Sequence, residues 1–135
     1  MTFASVAIGR RCIELDCFDG QPDPDTGAEA EPQITHKHTW IAPISVRDVL
    51  KAIHTYGFRA SPYPIILSLE MHCGLEQQSK IARNLVEIFG HDNQIYVPPG
   101  DDNAAAMIQL KSPEELKYKV IIKGKRVTND SSGCR

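Results

Sequence analysis

The stretch RRCIELDCFDG, residues 10–20, decides how the rest of the chain is read. Its centre, Cys12-Ile13-Glu14-Leu15-Asp16-Cys17-Phe18, has the composition of a buried strand and yet carries two carboxylates one residue apart. In an extended strand alternate side chains share a face, so Ile13 and Leu15 can pack on one side while Glu14 and Asp16 face the other. Two steps of about 3.3 Å place those carboxylates within roughly 7 Å of each other. Acids that close repel unless a cation lies between them. Ca²⁺, with six to eight oxygen ligands at about 2.3–2.6 Å, is the natural candidate. The plainer reading is a solvated strand face.

Working outward, Asp19 to Glu31 (DGQPDPDTGAEAE) holds five acids and no hydrophobic period, as expected of a long solvated loop. In PQITHKHTW, residues 32–40, Ile34, His36, His38 and Trp40 share one parity, which predicts a strand with both histidines on one face. Ser45-x-x-Asp48 resembles a capping box, and Val46, Val49, Leu50, Ile53 and Tyr56 follow at helical spacing up to Gly57. SPYPIILSLE, residues 61–70, predicts a buried strand over 65–70 that ends on Glu70. A second amphipathic helix is expected from about Leu75 to Phe89, stopped by Gly90. Ser112-Pro113-Glu114-Glu115 carries the signals of a short helix start, and KVIIKGK, residues 119–125, a last strand with Ile121, Lys123 and Lys125 on one face.

Apolar strands alternating with helices point to an α/β fold with a mostly parallel sheet. A flavodoxin-like sheet and part of a (β/α) barrel both fit. Polar groups at several strand ends (Glu14 and Asp16, His36, Glu70, Lys123 and Lys125) are what the mouth of a barrel requires. The chain has 135 residues, so one domain, or part of one, is expected. Fifteen basic against seventeen acidic residues give a net charge of -2 and no global electrostatic reason to bind nucleic acid. Four cysteines are too few for a disulfide scaffold, and no apolar run reaches the roughly 20 residues that span a bilayer. A reducing, intracellular setting is the expectation.

Each candidate group has an ordinary alternative. His36 and His38 can be metal ligands, proton-transfer groups or plain strand residues. The H-x-H spacing suits zinc, but there is no C-x-x-C, and Cys12 and Cys17 project from opposite strand faces, so structural cysteines are expected. Lys123 and Lys125 make either a phosphate-binding patch or a solvated edge. Only together do three carboxylates, one histidine and two lysines suggest metal-assisted chemistry on a phosphate ester.

GRRCIELDCFDG (9–20), THKHTWIAPISVRDVLKAIHTYGFRASPYPIILSLEMHCGLEQQ (35–78) and SPEELKYKVIIKGK (112–125) closely resemble the X region of eukaryotic phosphoinositide-specific phospholipase C. Four separated motifs occur in the family's order: the E-L-D-x-x-D-G box, a histidine after the loop, S-P-Y-P-x-I-L-S-L-E and K-G-K. The resemblance implies the X half of a TIM-type (β/α) barrel completed by a Y half. It further implies Ca²⁺-dependent cleavage of phosphatidylinositol 4,5-bisphosphate to diacylglycerol and inositol 1,4,5-trisphosphate.

Carried over residue by residue, Glu14, Asp16 and Glu70 match calcium ligands, with Glu14 also catalytic. His36 matches a catalytic histidine that protonates the diacylglycerol oxygen, and Lys123 and Lys125 match groups holding ring phosphates. The expected location is cytoplasmic, peripheral at the inner face of the plasma membrane. The expected organisation is a lead-in over 1–8, the X region over 9–126 and a loose tail over 127–135. Nothing in Met1 to Gly9 matches the family's His-Asn pair, Met71 stands where Asn is usual and Lys37 where Gly is common. A barrel needs about 250 residues, so the sequence reads as a fragment, inactive alone. A non-catalytic relative that binds inositol phosphates and a glycerophosphodiester phosphodiesterase are the alternatives.

Overall fold

The computed structural model describes residues 9–22, 25, 27, 29–35, 42–98 and 111–125. The chain forms β1 (Cys12–Phe18), β2 (Gln33–Ile34), β3 (Ile44–Ser45), α1 (Val46–Tyr56), β4 (Ile65–His72), α2 (Leu75–Phe89) and β5 (Val120–Gly124). The five strands make one sheet in the order β3-β2-β1-β4-β5. The long ladders, β1 with β4 and β4 with β5, are parallel, whereas β2 and β3 add a short antiparallel edge beside the end of β1.

The alternation read in β1 is realised. Ile13, Leu15 and Cys17 are buried, and the intervening Glu14 and Asp16 lie on the opposite face. Beneath the buried face, one core joins these residues to Ile65, Leu67 and Val120 of the sheet, to Val46, Val49, Leu50 and Ile53 of α1, and to Ile81, Leu85 and Phe89 of α2. Both helices cover the same sheet face, and β1, β4 and β5 follow one another in sheet order without reversal. A doubly wound sheet would reverse its order and place helices on both faces. The arrangement is that of consecutive units of a (β/α) barrel, and the flavodoxin-like alternative is set aside.

Local signals were realised unevenly. Ser45 occupies the N-cap of α1 but makes no side-chain cap bond, because it is paired in β3 with Gln33. The helices end at Gly57 and Gly90, both still in right-handed helical conformation, so neither ends on the left-handed glycine that commonly closes a helix. At Gly57 a Cβ would sit 2.5 Å from Ile65 Cδ1, so its absence lets α1 close onto β4. The expected short helix at residue 112 is a run of turns over 113–118. Its capping box does form: Ser112 N–H and Oγ–H both donate to Glu115 Oε2 at 2.8 Å, and Glu115 N–H donates to Ser112 Oγ at 3.4 Å. The helix is cut short at Tyr118, whose φ of 59° is left-handed and whose N–H is taken by Pro62 C=O at 2.7 Å.

The acidic loop is largely exposed over its described residues, as expected, but its end is tied to α2. The Lys80 ammonium on α2 has a side chain only 10% exposed; it donates to Ala30 C=O at 2.8 Å and to Glu29 Oε2 at 3.0 Å, with Glu31 at 3.9 Å. At the N-terminal end of the parallel strands Arg11 gathers the backbone. Its guanidinium donates to the carbonyls of Gly57 (2.7 Å), Tyr63 (3.0 Å), Ser61 (3.1 Å), Arg10 (3.2 Å) and Gly9 (3.3 Å). Its Nε–H is shared by two carbonyls, Nη1 serves two and Nη2 one, a spread over five acceptors that an ammonium could not reach.

Candidate metal centre

The face of the sheet opposite the core carries the polar residues in rows. Parallel register sets Glu14 beside Ser68 and Ser68 beside Lys123, and the next row sets Asp16 beside Glu70. The row after that pairs Phe18 with His72, whose rings stack with centroids 4.5 Å apart. One carboxylate oxygen from each of Glu14, Asp16 and Glu70 lies within 4.8 Å of the others. A strand period of two unites the first pair, and the β1–β4 register brings Glu70, fifty-four positions after Asp16 in the chain, to the same point.

Among the described residues no lysine or arginine pairs with these three acids; His72 Nε2 lies 3.8 Å from Glu70 Oε2. The three carboxylates offer hard oxygen donors, the kind Ca²⁺ takes, and no sulfur or paired imidazoles of the kind zinc favours. Their spread of at most 4.8 Å is close to what one ion with a Ca–O distance of about 2.3–2.6 Å spans, so the residues fit Ca²⁺ with a small approach of the side chains.

Of the other expected site residues, Lys123 lies on β5 in the same row as Glu14, with Ser68 between them. Lys125 follows directly after β5 and is exposed, as is Lys123. His36, with His38, lies outside the described residues.

The sequence reading missed the residues that hold the ends of β1 and β4 together. Both Asp19 carboxylate oxygens accept from the Gly74 N–H at 3.1 Å, at the start of α2. Gly20 N–H donates to Gln77 Oε1 at 2.9 Å, and Gln77 Nε2–H returns a bond to Gly20 C=O at 3.2 Å. A Cβ on Gly20 would stand 1.9 Å from the backbone oxygen of Glu31. The last acid, Asp19, and the glycine of E-L-D-x-x-D-G are thus structural, and the box itself was the only available signal for them.

Among the described cysteines, Cys17 and Cys73 behave as structural groups. Cys17 is fully buried and Cys73 nearly so, whereas Cys12 is exposed. Burial, then the nearby Cys73 and Asp16, push the Cys17 thiol up to about 12. Burial, then the charge and hydrogen bond of Asp19, push Cys73 up to about 11. Both folded pKa values are raised, so below about pH 8.5 each thiol is protonated in both states and stability is insensitive to it. As pH rises from about 9 towards 11, the unfolded thiols ionise while the folded ones hold their protons, and stability falls. Iodoacetamide at pH 8 is expected to label Cys12 rapidly and Cys17 and Cys73 only in denaturant, as peptide mapping would show; fast labelling of Cys17 in the folded protein would contradict this.

Residues 4–126 match the family model of the phosphatidylinositol-specific phospholipase C, X domain. The chain is 46% identical over 119 residues to the 1-phosphatidylinositol 4,5-bisphosphate phosphodiesterase delta-1 of Rattus norvegicus, covering 88% of this chain and 14% of that protein. It is 43% identical over 119 residues to the delta-3-A enzyme of Danio rerio, again 88% of this chain and 14% of the relative. Among solved structures, the crystal structure of L. pealei PLC21 is similar with a TM-score of 0.73 and 32% identity, over 96% of this chain and 16% of that one. The crystal structure of S. officinalis PLC21 gives 0.72 and 32% over 97% and 16%. The chain spans about 14% of the length of the curated relatives it matches. Its sheet and helices are part of a TIM-type barrel, the X half. With the matched model reaching across almost all of its length, the chain belongs to the phosphatidylinositol-specific phospholipase C X-domain family.

Proposed function

We propose that the protein carrying this chain hydrolyses phosphatidylinositol 4,5-bisphosphate to diacylglycerol and inositol 1,4,5-trisphosphate, with Ca²⁺ held by Glu14, Asp16 and Glu70. The supporting observation is the convergence of those three carboxylates on one sheet face, within 4.8 Å, in a chain of this family. When bound, the cation would acidify the inositol 2-hydroxyl and offset charge on the phosphoryl oxygens. Glu14 accepts the hydroxyl proton, and the oxygen attacks phosphorus to give a cyclic phosphodiester as the bond to the diacylglycerol oxygen breaks. His36 gives its proton to that leaving oxygen, then takes one from the water that opens the ring. Lys123 and Lys125 select a phosphorylated ring through charge-assisted hydrogen bonds.

The Y half of the same barrel completes the site, and the protein works as a peripheral cytoplasmic enzyme at the inner face of the plasma membrane. The test uses the protein carrying this chain on vesicles containing phosphatidylinositol 4,5-bisphosphate. Inositol 1,4,5-trisphosphate is expected to appear with Ca²⁺ and to stop on chelation, while residues 1–135 alone show no turnover. Release that persists under chelation would overturn the reading. So would release of glycerol 3-phosphate from soluble diesters, and inositol phosphate binding without turnover would establish a non-catalytic relative.

A further inference from the structure

Helix α2 buries a polar stripe, Gln77, Lys80 and Asn84, where an amphipathic helix ordinarily buries apolar side chains. Gln77 is 8% exposed, and both ends of its amide are spent on one residue, Gly20, fifty-seven positions away. Gly20 lies four residues beyond Asp16, and Gln77 seven beyond Glu70. The ladder between β1 and β4 ends at Phe18 and His72, so past that point the strand ends are joined by Asp19 to Gly74 and Gly20 to Gln77. These bonds fix how far apart the two strand ends sit where their acids converge. A half-satisfied buried amide is costly, which makes the reciprocal pair a stiff connection.

We propose that Gln77 is a positioning residue for the cation site: through Gly20 it holds the end of β1 against α2, so that Asp16 and Glu14 stay at ion-binding distance from Glu70. The inference rests on the reading of Glu14, Asp16 and Glu70 as cation ligands. Support of a ligand set by hydrogen bonds one layer out commonly sets metal affinity by about 10- to 100-fold.

The experiment measures the Ca²⁺ concentration at which Ca²⁺ alone, without substrate, half-raises the unfolding temperature of the protein carrying this chain. Gln77→Met keeps length and loses both hydrogen bonds; the midpoint is expected to rise about tenfold. Lys80→Met, on the same stripe but bonded to residues 29–31, is expected to lower the unfolding temperature and leave the midpoint unchanged. An unchanged midpoint in Gln77→Met, or an equal shift in Lys80→Met, overturns the proposal. Should Gln77→Met fail to fold, the unmodified protein decides. Coupling is reciprocal, so saturating Ca²⁺ must slow hydrogen exchange at the Gly20 and Gly74 amides, and unchanged exchange overturns it. If Glu70→Gln leaves the midpoint where it was, the ligand reading itself has failed; if only Gln77→Met does, the positioning role alone has.

Discussion

Replacing Glu70 by Gln is expected to raise the unfolding temperature of the protein without Ca²⁺ and, on the proposed reading of the three acids, to erase the further rise expected with Ca²⁺. The two effects have one origin. Glu14, Asp16 and Glu70 bring three carboxylates within 4.8 Å, and among the described residues no lysine or arginine pairs with them. Gln keeps the shape and removes one charge, relieving repulsion on the order of 1 kcal/mol after solvent screening. The same change removes one of the proposed ligands, and Ca²⁺ affinity is expected to fall about 100-fold. Thermal unfolding across a Ca²⁺ titration measures both. A loss of stability without Ca²⁺ would mean that the acids are not straining the apo sheet.

Gly20→Ala is expected to cost the fold about 3 kcal/mol or more, among the largest effects of any single substitution here. The added Cβ would stand 1.9 Å from Glu31 C=O, which is backbone and cannot swing aside. Either residues 29–31 move off α2, exposing the Lys80 ammonium they cover, or Gly20 shifts and both Gln77 bonds break. Each route undoes polar pairs in a buried place, where an unpaired group costs about 1–3 kcal/mol. Denaturant unfolding checks the magnitude. A loss under about 1 kcal/mol would show that the loop yields freely.

How much of this the chain's order of residues reveals depends on the range of the interaction. Glu14 and Asp16 are legible because a strand's period is two, and the helices because their apolar spacing matches the turn. The meeting of Asp16 with Glu70 is a matter of register between strands, and nothing local specifies it; the strand-end position of Glu70 only suggested it, and the family resemblance made it an expectation. The Gly20–Gln77 pair was illegible for the same reason, and an isolated Gln at a helical position looks solvated. At residues 112–118 the local signal was right about the cap and wrong about the helix, because Pro62 takes the Tyr118 N–H that further turns would need. The loop reads correctly as solvated, but its anchorage to Lys80, a countercharge from another element, was not legible locally.

Arg11 divides the labour of the sheet. Its five hydrogen bonds tie down the end where the strands begin, while the carboxylates and the lysines gather toward the end where they finish. Between the two lie strand residues whose buried sides belong to the core. Substitutions at the carboxylate-bearing end can therefore change its charge and donor set without drawing on the anchor, and a lineage can vary that end while the foundation stays constant. Arg11 itself has little such freedom, since even lysine would leave several of its carbonyls unanswered.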